Sequence, residues 1–78
     1  MTVEILTPEK ALFTGEAKFV SLPGSDGSLG ILSNHAPLIT TLKKGMVKVE
    51  DEKGNAQSFE VNGGTVEVLN NRLIILAE

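Results

Sequence analysis

The residues of this chain that could do chemistry are few. Gly24-Ser25-Asp26-Gly27-Ser28-Leu29-Gly30 brings three glycines close enough for backbone amides to approach a phosphate. No Gly-Lys-Ser/Thr follows, however, no helix opens behind it, and Asp26 would repel an anion at its tip. The segment reads as a protruding turn whose glycines serve backbone geometry. His35 is the only histidine, and neither Ser33 nor the scattered carboxylates have a spacing that would complete a nucleophile, base and orienting acid around it. One histidine in a chain without cysteine cannot complete a tetrahedral metal site either. Glu50-Asp51-Glu52 offers consecutive acids, but a hard cation needs six or more oxygens from converging segments, so these belong to a solvated hairpin tip. No catalytic residue, cofactor or metal is expected.

The elements that must position these residues are strands. Glycines at 15, 24, 27, 30, 45, 54, 63 and 64 and prolines at 8, 23 and 37 leave no room for a helix of ordinary length. Val47 and Val49 alternate with Lys48 and Glu50, and a turn at Asp51-Glu52-Lys53-Gly54-Asn55 leads to Ser58–Val61. Asn62-Gly63-Gly64 signals a hairpin, Val66 and Val68 alternate with Thr65 and Glu67, and Asn70-Asn71 tolerates the positive φ of a tight turn. Leu73–Leu76 reads as a closing strand buried on both faces. Shorter strands are predicted at Val3–Leu6, Ala11–Phe13, Lys18–Leu22, Leu29–Leu32 and Leu38–Leu42, with Thr7-Pro8-Glu9 a turn rather than a helix start. The chain is therefore all-β, with nine or ten short strands in two packed sheets or a flattened barrel. Lys53, at a hairpin tip, leaves one alternative open: biotinyl and lipoyl carrier domains present a modified lysine at such a turn, although their Met-Lys-Met and Asp-Lys-Ala settings are missing here.

Composition narrows the classes further. With 78 residues, 41% of them hydrophobic, and no cysteine, the chain makes one domain held by its core alone. A net charge of -3, with basic residues dispersed apart from Lys43-Lys44, leaves no footprint for nucleic acid or anionic lipid. The first residues show no signal-peptide pattern and no apolar run approaches ~20 residues, so a cytoplasmic location is expected, with any membrane association made through another protein.

Linked segments then add a resemblance. Ile5-Leu6-Thr7-Pro8-Glu9-Lys10-Ala11-Leu12-Phe13-Thr14-Gly15-Glu16-Ala17, Leu22-Pro23-Gly24-Ser25-Asp26-Gly27-Ser28-Leu29-Gly30-Ile31-Leu32 and Asn34-His35-Ala36-Pro37-Leu38 are similar, in order and spacing, to the epsilon-subunit signature of F-type ATP synthases. Leu42-Lys43-Lys44-Gly45-Met46-Val47 and Val61-Asn62-Gly63-Gly64-Thr65-Val66-Glu67-Val68 resemble the family's next landmarks.

The resemblance implies a ten-stranded β-sandwich of two five-stranded, mainly antiparallel sheets at the foot of a rotary motor's central stalk. It implies a non-catalytic subunit, one copy per complex and monomeric when isolated, that binds the gamma subunit and the polar loops of the c-ring without inserting into lipid. Such a subunit sits at the cytoplasmic face of the bacterial inner membrane. The matching positions place Thr7, His35 and Thr40 towards gamma, with Pro8, Ala36 and Pro37 as neighbours, and Ser25, Asp26, Gly27, Ser28 and Leu29 in the loop that meets the c-ring. Ser28 stands where other members often carry an acid, and Ser33 where proline is common. The family's two-helix C-terminal domain, which can bind ATP and inhibit hydrolysis, has no counterpart in these residues, so neither property is expected of them.

Overall fold

A computed structural model describes all 78 residues. It contains nine strands and no helix: β1 (Thr2–Leu6), β2 (Ala11–Glu16), β3 (Phe19–Gly24), β4 (Gly27–Leu32), β5 (Leu38–Leu42), β6 (Gly45–Glu50), β7 (Ala56–Val61), β8 (Gly64–Leu69) and β9 (Arg72–Ala77). The strands run in the order β2-β1-β9-β8-β5-β3-β6-β7, with β4 on the remaining edge of β3. All pairs are antiparallel except β1 with β9. Only Gly24 and Leu42 join β3 to β5, and at that corner the ladder folds over. The result is a nearly closed sandwich, with β2-β1-β9-β8-β5 as one layer and β4-β3-β6-β7 as the other. The all-β sandwich expected from the sequence is present, with nine strands where the resemblance implied ten.

Period-two alternation decides what each layer buries. In β1, Val3 and Ile5 are 0% exposed, while Thr2, Glu4 and Leu6 face outwards. In β8, Val66 and Val68 face inwards and Thr65, Glu67 and Leu69 outwards. The inward sets of both layers form one cluster of 16 residues, from Met1 to Ala77, with no buried polar side chain. Opposite the β3–β5 corner, the Phe13 and Phe59 rings pack tilted at 5.7 Å and bring β2 against β7.

One expectation is corrected. β9 is not buried on both faces: Leu73 and Ile75 are core, but Ile74 is half-buried and Leu76 is 55% exposed. β1 and β8 cover its two edges, and nothing covers its outer face. The unbroken run Leu73-Ile74-Ile75-Leu76 conceals an ordinary alternation whose outer positions also happen to be apolar.

The turns lie at two ends of the sandwich. One end holds Thr7–Lys10, Ser25-Asp26, Lys43-Lys44 and Asn62-Gly63; the other holds Met1, Ser33–Pro37, Asp51–Asn55 and Asn70-Asn71. Asn70 and Asn71 take φ of 50° and 60°, the left-handed conformation expected of them. The Met1 ammonium donates to the Ala17 carbonyl at 2.8 Å and the Ser33 hydroxyl at 3.3 Å, which pins β1 to the other layer.

Asp51 organises the β6–β7 turn. Its Oδ1 accepts the amides of Lys53 and Asn55, each at 2.9 Å, in an Asx arrangement. Loss of hydration is the largest single influence and acts to raise its pKa, but the Asn55 and Lys53 amides, the Asn55 side chain and the Lys53 charge together outweigh it and hold the carboxyl below its ordinary value. A depressed folded-state pKa means that the ionised carboxylate stabilises the fold above the unfolded value, and that this contribution is lost as pH falls through the folded value. Asp51→Ala is therefore expected to melt below the parent at pH 7, with the gap closing below the ordinary carboxyl value of 3.8. Thermal scans of both chains from about pH 2.5 to about pH 7 check it, and a gap that stays constant with pH would contradict the account.

Candidate functional site

Of the five large hydrophobic side chains that the fold leaves exposed, three cluster on the outer face of the β5-β8-β9-β1-β2 layer, while Leu32 of β4 and Met46 of β6 stand on the other layer. Ile39 of β5 is 74% exposed, Leu69 of β8 48% and Leu76 of β9 55%. Isolated exposed aliphatics are ordinary, but these stand on three neighbouring strands. Leu76 pairs across the sheet with Leu6 of β1, and Ile74 with Glu67, which in turn pairs with Ile39. Two shallow hollows open on this face: Pro37, Ile39, Glu67 and Leu69 line one, and Glu67, Leu69, Arg72 and Ile74 the other. Arg72 and Glu4 form an ion pair there at 2.9 Å.

The residues expected to face gamma are distributed around this surface. His35, Ala36 and Pro37 are exposed in the β4–β5 loop at one end, where Asn34 donates its amide to Asn71 Oδ1 at 2.8 Å and so ties the loop to the β8–β9 turn. His35 Nδ1 lies 2.7 Å from the Ala36 carbonyl oxygen, the spacing at which an Nδ1–H donates to it. Thr7 and Pro8 lie at the opposite end, where Thr7 closes the β1–β2 turn through bonds with Lys10. A partner lying along the layer from end to end would meet both groups. Thr40 is set differently: it shares the inward parity of Leu38 and Leu42 and is half-buried in a cleft with Ser28 and Leu29.

The loop expected to meet the c-ring forms the other rim of that cleft. Ser25, Asp26 and Ser28 are exposed, while Gly27 and Leu29 are half-buried. The tip is firmly held, with the Ser25 amide donating to the Thr41 carbonyl at 3.0 Å and the two hydroxyls 2.7 Å apart. The structure thus brings Thr40 beside the Ser25–Leu29 loop, and sets His35 at the far end from it.

Known proteins share this fold. A family model described as the ATP synthase delta/epsilon chain, beta-sandwich domain, matches residues 1–78. The chain belongs to that family. It is 47% identical over 76 residues to the ATP synthase epsilon chain of Desulforamulus reducens, covering 97% of this chain and 57% of that relative. It therefore spans little more than half the length of the curated relative. The same sandwich recurs, at a TM-score of 0.89 and 19% identity, in the Euglena gracilis mitochondrial ATP synthase OSCP/F1/c-ring structure, over 96% of this chain and 48% of that one. It recurs again, at 0.82 and 23%, in the Tetrahymena thermophila mitochondrial ATP synthase central stalk and c-ring, over 99% and 62%. At those identities the likeness shows the fold. Delta/epsilon chains are non-catalytic subunits of ATP synthase, and family membership leaves the carrier alternative at Lys53 without support.

Ile39, Glu67, Leu69 and Leu76 do not stand out in the sequence as site residues. A signal is nonetheless present: in β9, apolar residues occupy both parities, so the strand's outer face is apolar whether or not anything covers it.

Proposed function

We propose that the chain is a rotor component of a proton-translocating rotary ATP synthase, binding the gamma subunit along the outer face of its β5-β8-β9-β1-β2 layer and the c-ring polar loops through Ser25–Leu29. The observation that carries this reading is the apolar outer face, bounded by Pro37 at one end and Thr7-Pro8 at the other. A monomer leaves such a face wet, and a stalk protein lying along it removes that surface from water. Shared family membership with an ATP synthase epsilon chain supplies the partner class. The chain would act as a clamp between ring and gamma, one copy per complex, at the cytoplasmic face of the bacterial inner membrane and without entering the lipid. A closed sandwich suits the task, because a compliant coupling would absorb the angular strain that it has to pass on.

His35 tests the gamma-facing assignment. The side chain is exposed and its hydrogen bond is to the neighbouring residue, so His35→Glu is expected to shift the melting temperature by no more than about 2 °C. The same change is expected to weaken binding to purified gamma about tenfold, as an unpaired charge at an interface does. Calorimetric melting and gamma titration of the same preparation give the two numbers. A large loss of stability with undiminished gamma affinity would make His35 a turn residue and remove it from the interface.

A further inference from the structure

Glu67 stands at the centre of the apolar face and has no partner. Its cross-strand neighbours on that face are Ile39 on one side and Ile74 on the other. It lines both hollows of the face, in company with Pro37, Ile39 and Leu69 in one and with Leu69, Asn70, Arg72 and Ile74 in the other. The charges nearby do not balance: Arg72 donates to Glu4 Oε1 at 2.9 Å and makes no bond to Glu67, so two carboxylates against one guanidinium leave one negative charge in excess. No hydrogen bond or ion pair involves the Glu67 side chain. In free solution water satisfies the carboxylate. Covering Ile39, Leu69 and Ile74 with an apolar partner would strip that water away and strand the charge, unless the partner brings a cation to it.

We infer that Glu67 is the specificity residue of this face, and that the partner docks with an apolar segment carrying a single lysine or arginine aimed at the Glu67 carboxylate. The inference rests on the gamma-binding reading above and adds the chemistry that gamma must present. Charge complementarity favours this occupant over a second copy of the chain, because a two-fold contact centred on the face would bring two Glu67 carboxylates together while the Arg72 of each copy is paired to Glu4, leaving two negative charges in excess. Arginine suits the site best, since its planar donors can reach the carboxylate while its stem lies along Ile39 and Leu69.

The test is titration of purified gamma with the parent chain, Glu67→Gln and Glu67→Lys. The Gln variant keeps the shape and loses the charge, and is expected to bind gamma about tenfold more weakly, with a flatter dependence on salt. The Lys variant places like charges together and is expected to lose about a hundredfold or more. Both should melt within about 2 °C of the parent, because Glu67 is exposed and makes no contact that either variant breaks. Parent-like affinity and salt dependence in Glu67→Gln, with the parent itself bound, would overturn the inference and leave the gamma reading standing. Failure of the parent to bind gamma would remove both. Self-association of the parent that Glu67→Gln strengthens would overturn the inference in favour of a second copy as occupant.

Discussion

Gly64→Ala is expected to abolish cooperative unfolding, or to lower the melting temperature by roughly 15–30 °C. Gly64 opens β8 with φ of 141°, which L residues rarely adopt, and a Cβ there would come 2.2 Å from the Leu76 carbonyl oxygen and 3.0 Å from the Ala77 Cα. The obstacle is backbone and cannot swing aside. A strained dihedral alone costs about 1–3 kcal/mol. The collision also pushes β9 away from β8 at the Gly64–Ala77 pair, where the ladder that buries Val66, Leu73 and Ile75 begins. A domain of this size has a total stability on the order of 4–12 kcal/mol, so the loss consumes much or all of it. Gly54 provides the control. It also has a positive φ, 85°, but a Cβ added there would meet nothing within 4 Å, and Gly54→Ala should cost only about 1 kcal/mol. Thermal unfolding of the two variants side by side checks the ranking, and a Gly64→Ala chain that melts as high as Gly54→Ala would contradict it.

The second large effect falls on association and leaves the fold intact. Ile39→Lys combined with Leu76→Lys is expected to weaken gamma binding by more than about a thousandfold. Each aliphatic side chain contributes roughly 1.5–3 kcal/mol when fully covered, and an unmatched ammonium in its place adds a desolvation cost. The ammonium introduced by Ile39→Lys would, in addition, occupy the space beside Glu67 that the cation proposed above would take. Stability should be nearly unchanged, since both positions are more than half exposed and position 39 lies directly opposite Glu67, where a lysine makes a favourable cross-strand pair. Binding and melting measured on one preparation separate the two readouts. A folded double variant that binds gamma as tightly as the parent would contradict the prediction.

Much of this molecule was legible before its structure. Alternation at Met46–Glu50 and Thr65–Val68 located strands and their buried faces, because period two is the only pattern that lets a half-buried strand satisfy core and solvent together. Asn70-Asn71 and Gly63-Gly64 marked turns through the backbone conformations they adopt. What alternation could not disclose was β9, where Ile74 and Leu76 are as apolar as Leu73 and Ile75. Sequence alone does not distinguish a strand covered on both faces by its own fold from one with an apolar face left open to solvent. For the same reason Glu67 looked like a routine outward residue of β8, and its isolation among Ile39 and Ile74 emerged only from the register of three strands distant in sequence. The resemblance named residues at both ends of the face, Thr7 and His35, but not the apolar surface between them. Thr40 shows the converse: its family position says nothing of its parity, and the structure sets it in the cleft beside Ser28 and Leu29.

We propose above all that this sandwich is held by a rotor protein. Co-purification of the untagged chain with tagged gamma from the same complex, followed by sedimentation of the eluate, tests it most directly. The account expects a stoichiometric one-to-one complex that survives washing and that the Ile39→Lys, Leu76→Lys chain fails to form. Gamma that retains neither chain, or retains both equally, would contradict it.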